Sequence, residues 1–277
     1  MTVEKTSYKA VPTTLEEKIK RLKEILTGMK SVVVAFSGGV DSSLLLKLAI
    51  ESLGKNVIAV TAKSPTFPER EIEEATKIAR MFGCKHMIIN SNELQIEEFK
   101  TNPKNRCYYC KKELFSNLIS IKNDNGFDFV VDGTNFDDST TFRPGMQASK
   151  ELGIRSPLLE SSLTKQEIRE YSKEIGLPTW DRPAFACLAS RIPYGQKITS
   201  SKLRKIEEAE SFLLFLGFKQ VRVRYHEPVA RIEVEKDKIP EILDKTLREK
   251  IIAKLKEIGF KYITIDLEGY RSGSMDE

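Results

Sequence analysis

Residues 31–50, SVVVAFSGGVDSSLLLKLAI, constrain the fold of this chain more than any other stretch. Val32, Val33, Val34, Ala35 and Phe36 are apolar without alternation, the pattern of a central parallel strand covered on both faces. Ser37, Gly38, Gly39, Val40, Asp41 and Ser42 then make a turn, and Leu44, Leu45, Leu46 and Leu48 supply the apolar stripe of a helix. The two glycines let backbone approach a ligand closely, and the new helix aims unpaired N–H groups and a positive dipole end at it. A phosphate suits that cradle. Asp41 beside a phosphate makes sense when Mg²⁺ takes oxygens from both. The loop has neither the spacing nor the lysine of a Walker motif, and it is not the G-x-G-x-x-G of dinucleotide folds.

SGGVDSS after an apolar strand resembles the SGGxDS loop of the N-type ATP pyrophosphatases, the PP-loop superfamily, which split ATP into AMP and pyrophosphate. The ordinary alternative is a glycine-rich strand-to-helix turn with no ligand.

The rest of the first 178 residues repeats the strand-and-helix alternation. A helix is expected over 14–28, strands over 56–61 and 85–90, and helices over 68–82, 93–100 and 109–121. FDFVVD, 127–132, reads as a further strand, Ile154 to Leu158 as a fifth, and Thr164 to Glu167 as a capping box opening a helix that Gly176 closes. Such alternation predicts an α/β doubly wound parallel sheet, whose ligands sit at the carboxyl ends of the strands, so the loops 37–42, 61–67 and 132–145 carry the interest. Residues 179–200 are aperiodic, hold Pro183 and Pro193, and are anchored by Trp180, Phe185 and Tyr194. From Ser200 a smaller α+β unit is expected: a helix to 216, strands over 220–225 and 230–235, a helix over 240–258 and a strand over 262–267. The domains predicted are thus 1–178 and 179–277. Period two in the hairpin puts Arg222, Arg224 and His226 on one face with Arg231 and Glu233, which makes that face predominantly cationic.

Composition excludes more than it selects. Lys and Arg number 45 against 40 Asp and Glu, too slight a bias to demand nucleic acid, and no basic run interleaved with aromatics appears. No apolar run approaches the roughly 20 residues of a membrane span, and MTVEKTSYKA has no apolar signal core, so a cytoplasmic protein is expected. Four cysteines in a chain of 277 residues read as reduced thiols.

Three places could hold chemistry. GTNFDDSTTFRPG, 133–145, follows a strand: Gly133, Thr134 and Asn135 could cradle phosphate oxygens, Asp137 or Asp138 could share Mg²⁺ with Asp41, and Arg143 could neutralise charge. NRCYYCKK, 105–112, places Cys107 and Cys110 at C-x-x-C spacing. Zinc would need further ligands and the chain has two histidines, whereas an iron–sulfur cluster would need one more cysteine. Lys111 or Lys112 could reach a nucleotide, with Lys111 better placed on a solvated helix face. Cys187, between Arg182 and Arg191, is a candidate nucleophile, since cations depress a thiol's pKa; the alternative is a buried small hydrophobe.

Together SGGVDSSLL, NRCYYCKKELF, DGTNFDDSTTFRPG, CLASRIPYG, VRVRYHEPVARIEV and DLEGYRSGSMDE resemble the LarE family of ATP-dependent sacrificial sulfur transferases, over almost the whole chain. The resemblance implies a PP-loop (adenine nucleotide α hydrolase-like) domain binding ATP with Mg²⁺ through Ser37, Gly38, Gly39, Val40, Asp41, Ser42, Thr61, Gly133, Thr134, Asn135 and Arg143, with Asp138 beside the metal. It implies Lys112 as a nucleotide contact, Cys187 as sulfur donor, and Ser190, Arg191, Arg222, Arg224, Glu210 and Glu233 around a nicotinate-derived nucleotide. Some relatives use a [4Fe-4S] cluster instead; here Cys107, Cys110 and Cys187 would supply three thiolates. A homo-oligomer is also expected. The rival functions are PP-loop tRNA thiolation, which wants an RNA-binding extension, an amidotransferase-type synthetase, which wants an ammonia source, and a nucleotide sensor, which has no use for Cys187.

Overall fold

A computed structural model describes residues 13–140, 143–183, 186–271 and 273–275. Phe185, one of the expected anchors, lies outside the described residues, as do the first twelve positions.

Helix α1 (Leu15–Met29) opens on a capping box between Thr14 and Glu17. It precedes β1 (Val32–Ala35), α2 (Val40–Leu53), β2 (Val57–Lys63), α3 (Glu69–Met81) and β3 (Lys85–Asn90). After a short helix α4 (Glu97–Lys100) come α5 (Arg106–Asp124) and β4 (Phe129–Val131). The strands form one parallel sheet in the order β3-β2-β1-β4. Alternate valines of β1 explain its unbroken apolar run. Val32 and Val34 belong to a core with Leu22, Leu26, Leu44 and Leu48 from α1 and α2, while Val33 packs with Ile58, Phe115, Leu118 and Val130 on the other side. Helices on both faces of a parallel sheet are the predicted α/β arrangement.

The fifth strand does not form. Arg155 alone bridges Val131 in parallel, and Pro157 then starts the helical turn α7 (Pro157–Glu160). Proline has no N–H for a ladder and its fixed φ suits the first position of a helix, so extended pairing stops there. The loop after β4 also contains a helix that the polar sequence concealed, α6 (Pro144–Glu151). α8 (Lys165–Glu174) begins at the predicted capping box of Thr164 and Glu167.

The second unit comprises α9 (Ser200–Phe215), β5 (Val221–His226), β6 (Val229–Val234), α10 (Ile239–Ile242), α11 (Lys245–Ile258) and β7 (Tyr262–Ile265). Its sheet runs β5-β6-β7, antiparallel then parallel. The expected helix over 240–258 is broken because Asp244 caps α11 by accepting from Leu247 N. The aperiodic segment contributes Leu188, Ala189, Ile192 and Ile198 to this unit's core, and Phe99 of α4 joins them. The segment is therefore packed, although it has no regular period. Among the described residues no helix is long and apolar enough to cross a membrane.

Candidate active site

The phosphate loop has the expected construction. Gly38 has φ +71°, and a Cβ there would stand 2.9 Å from Ala75 Cα of α3, so both backbone conformation and space require glycine. Ser42 Oγ donates to Gly39 O at 3.2 Å and lies 3.1 Å from Ser37 Oγ, which sets the curl of the loop. Gly39 caps α2 without a side-chain bond, so the first N–H groups of the helix face the loop. A Cβ on Gly133 would sit 3.1 Å from Ser42 N, so the loop after β4 closes against the same helix start. This is a backbone cradle that any larger residue would fill, and a nucleotide's phosphates fit it.

Asp41 points into this space, paired with Lys165 and within 3.5 Å of Asn135 Nδ2. Asn135 N donates to Asp138 Oδ2 at 3.1 Å, and Asp138 also pairs with Arg143 at 2.8 Å. Asp41 and Asp138 thus flank one asparagine. Two carboxylates with phosphate oxygens are the donor set Mg²⁺ takes, so these residues fit the metal. Asp137 instead accepts from Lys165 N at the start of α8. Lys165 escaped sequence reasoning because it reads as the first residue of a capped helix, and that cap is what carries it to Asp41.

Other predicted contacts are committed elsewhere. Thr61 Oγ1 donates to Phe36 O at 2.7 Å and meets His86 Nε2 at 2.8 Å. Thr134 Oγ1 donates to the buried Asp132 at 2.8 Å, leaving the phosphate cradle to backbone there. The two lysines exchange their expected places. Lys111 turns inward, its stem filling the space beside Gly145 and its ammonium 3.3 Å from Asp132, while Lys112 is exposed and reaches Tyr108 Oη. Helix α5 begins earlier than predicted, at Arg106.

The segment that carries Cys187 is tied to the loops that follow β1 and β2. Leu188 N donates to Thr66 O at 2.9 Å, and Arg182 of the same segment donates to Gly38 O at 3.0 Å. The expectation that Arg182 and Arg191 activate this thiol is corrected. Arg182 is spent on Gly38 and Glu71, Arg191 on Glu210 and backbone carbonyls, and desolvation raises the pKa of the half-buried thiol. Behind Thr66 lies a network that sequence reasoning missed: the fully buried Glu93 accepts from Ser64 and, at 2.7 Å, from Thr66, while its second oxygen has no hydrogen-bond partner. Glu93 lies in a stretch read as a polar helix, far in sequence from Thr66, so no local pattern marked it.

Cys107 and Cys110 come to the same place. Burial raises the Cys110 thiol well above its ordinary range, and the neighbouring Cys187, Glu93 and Cys107 push it further. Among the described residues no three His, Cys, Asp or Glu converge on a single metal ion.

The cationic hairpin face is not open. Arg191 and Glu210 are fully buried and joined in parallel at 2.9 and 3.0 Å, and Glu210 also accepts from Val223 N. Arg224 pairs likewise with the buried Glu233 and donates to Ser190 O at 3.1 Å. The residues expected around the substrate therefore hold each other first. The alternation was read correctly, but the 186–200 segment and the chain after β7 cover the face. Arg222, also buried, donates to Val221 O at 2.8 Å, stacks over Tyr270 at 5.0 Å and lines a cleft of about 130 Å³ with Arg70, Glu71, Arg182 and Lys219. Burial, then Arg191, lowers its pKa from the usual guanidinium value.

Comparison with known proteins agrees with this geometry. The NAD synthase family model matches residues 11–115, the part that holds the phosphate loop. The pyridinium-3,5-bisthiocarboxylic acid mononucleotide synthase of Lactiplantibacillus plantarum is 37% identical over 95% of this chain and 95% of its own. The chain belongs to the LarE family. An uncharacterized protein of Synechocystis is 42% identical over 95% of this chain and 98% of its own, and one of Methanocaldococcus jannaschii is 35% identical over 88% and 92%. Membership in the LarE family makes this an ATP-using, sulfur-transferring enzyme of the PP-loop class.

Proposed function

We propose that this chain inserts sulfur into pyridinium-3,5-biscarboxylic acid mononucleotide, in the synthesis of a nickel-pincer nucleotide cofactor, with Cys187 as the consumed donor. The observation that carries this reading is the pair of ties from the Cys187 segment to the ATP-loop side of the sheet, Leu188 to Thr66 and Arg182 to Gly38.

The chemistry follows from the groups present. A carboxylate is a poor electrophile, and adenylation gives it AMP as a leaving group. The backbone cradle of 37–42 and 133–135 holds the phosphates, and Lys165 neutralises charge as pyrophosphate departs. Bound Mg²⁺ would supply further charge neutralisation, held by Asp41 and Asp138. The nucleotide's own phosphate suits the cleft lined by Arg70, Lys219 and Arg222. The Cys187 sulfur then attacks the acyl-adenylate and expels AMP, giving a thioester. Loss of the Cys187 Cα proton breaks the Cβ–S bond, and thiocarboxylate leaves on the nucleotide with dehydroalanine in the chain. Incubation with ATP and the biscarboxylate should yield AMP, pyrophosphate and thiocarboxylate, at most one sulfur per Cys187. ATP cleavage without any sulfur-containing nucleotide would refute the reading.

A second reading rests on the shared neighbourhood of Cys107, Cys110 and Cys187. These thiolates would hold a [4Fe-4S] cluster whose open iron site carries exogenous sulfide. Protein purified without oxygen would then be brown, and sulfide would sustain repeated turnovers with Cys187 unchanged.

A further inference from the structure

The geometry points to Arg191 and the Ser190 amide as an oxyanion hole for the Cys187 carbonyl oxygen during elimination, a role distinct from substrate binding. The inference rests on the sacrificial reading above.

Elimination from an S-acylated cysteine is limited by the Cα–H bond, which is weakly acidic next to a peptide carbonyl. Its acidity rises if the charge that moves onto the carbonyl oxygen is met by donors already in place. The Cys187 oxygen accepts from Ser190 N at 2.9 Å and from Arg191 Nη1 at 3.0 Å. Arg191 is fully buried, and this nitrogen shares its two N–H groups among the Cys187 oxygen, Ala186 O at 2.6 Å and Ser190 Oγ at 2.9 Å. Its Nε and Nη2 are clamped by Glu210, which is in turn fixed by Val223 N. Pairing with Glu210 accounts for the charge of Arg191 but leaves unexplained why its Nη1 is turned onto the carbonyls flanking Cys187. A brace needs no charge at that atom, whereas an enolate oxygen does.

In the step itself the Cα proton passes to a solvent base, and its electron pair enters the carbonyl π system as an enolate held by Arg191 and Ser190 N. That pair then forms the Cα–Cβ double bond as Cβ–Sγ breaks, and sulfur leaves with the electrons of that bond as thiocarboxylate. No external oxidant or reductant is required. The thioester step has no charge on this oxygen, so the two steps respond differently to loss of Arg191.

The test is single-turnover mass analysis of the intact chain with ATP and the biscarboxylate nucleotide, for wild type, Arg191→Lys and the double variant Arg191→Met with Glu210→Met. The double variant removes both charges together, which buried ion pairs tolerate far better than loss of one partner. The expected result is a thioester adduct that forms at near wild-type rate in both variants and converts to dehydroalanine about 100-fold more slowly. A folded variant that eliminates at the wild-type rate overturns the proposal. So does one in which adduct formation falls by the same factor as elimination, because that is the mark of a brace or a substrate contact. Failure of the underlying reading looks different: wild type itself makes product with neither adduct nor mass loss at Cys187, and the proposal falls with it.

Discussion

Arg182 donates to the carbonyl oxygen of Gly38 at 3.0 Å while its other terminal nitrogen pairs with Glu71 at 2.8 Å. Arg169 holds the same segment from α8 by donating to the carbonyls of Trp180 and Arg182. The stretch that carries Cys187 is thus fastened to the glycine that turns the phosphate loop, so the thiol and the loop share one frame.

Arg182→Ala should therefore uncouple the two half-reactions. Pyrophosphate release persists, while transfer from adenylate to Cys187 slows roughly 10- to 100-fold through misplacement of the thiol. Rapid-quench analysis of the acyl-adenylate and the thioester separates the two rates. Equal loss in both would show that Arg182 supports the fold and nothing more.

Asp41→Asn and Lys165→Ala act earlier. Each removes one charge from the space in front of α2 without touching the core, so pyrophosphate release should fall at least about 100-fold with an unchanged melting temperature. Undiminished release in either variant would remove that residue from the site.

Glu210→Ala should instead cost about 3–5 kcal/mol of stability, because it leaves the buried Arg191 charge without its carboxylate. Glu233→Ala should behave alike through Arg224. Arg222→Ala, on the cleft, should weaken the anionic nucleotide more than ATP and leave stability less affected. Urea titration with parallel binding measurements distinguishes the three.

The thiols carry a pH signature. Burial raises the Cys187 and Cys110 pKa values above the usual thiol range of about 8.5, so their alkylation should climb with pH beyond that point. A raised folded-state pKa means the neutral thiol contributes its stability in full below the unfolded value. That contribution is lost as pH rises through the folded one. Alkylation of either thiol that is already at its plateau by about pH 8.5 would contradict the burial.

Much of this was legible in the sequence, and the failures share a cause. The strand–loop–helix of 31–50 is local: its glycines, apolar run and helix stripe all lie within a few turns, and the structure reproduces it. Val32 to Val34 announce burial on both faces by lacking alternation. The burial of Glu93 depends on Ser64 and Thr66, and the position of Lys165 depends on Asp41; neither distance in sequence leaves a pattern. The hairpin shows the same limit: period two placed Arg222, Arg224 and Glu233 on one face correctly but could not say that another segment covers it. Pro157 and Asp244 are local signals: the proline ends the strand that apolar content suggests, and the Asp244 cap divides the helix expected over 240–258.

The central claim is that Cys187 gives up its sulfur. Iron-free protein should be allowed one turnover with ATP and the biscarboxylate nucleotide, then weighed intact and mapped by peptide. The account predicts a chain lighter by one H₂S, with the loss at residue 187 and one thiocarboxylate formed per chain altered. Thiocarboxylate formed with Cys187 intact would contradict it.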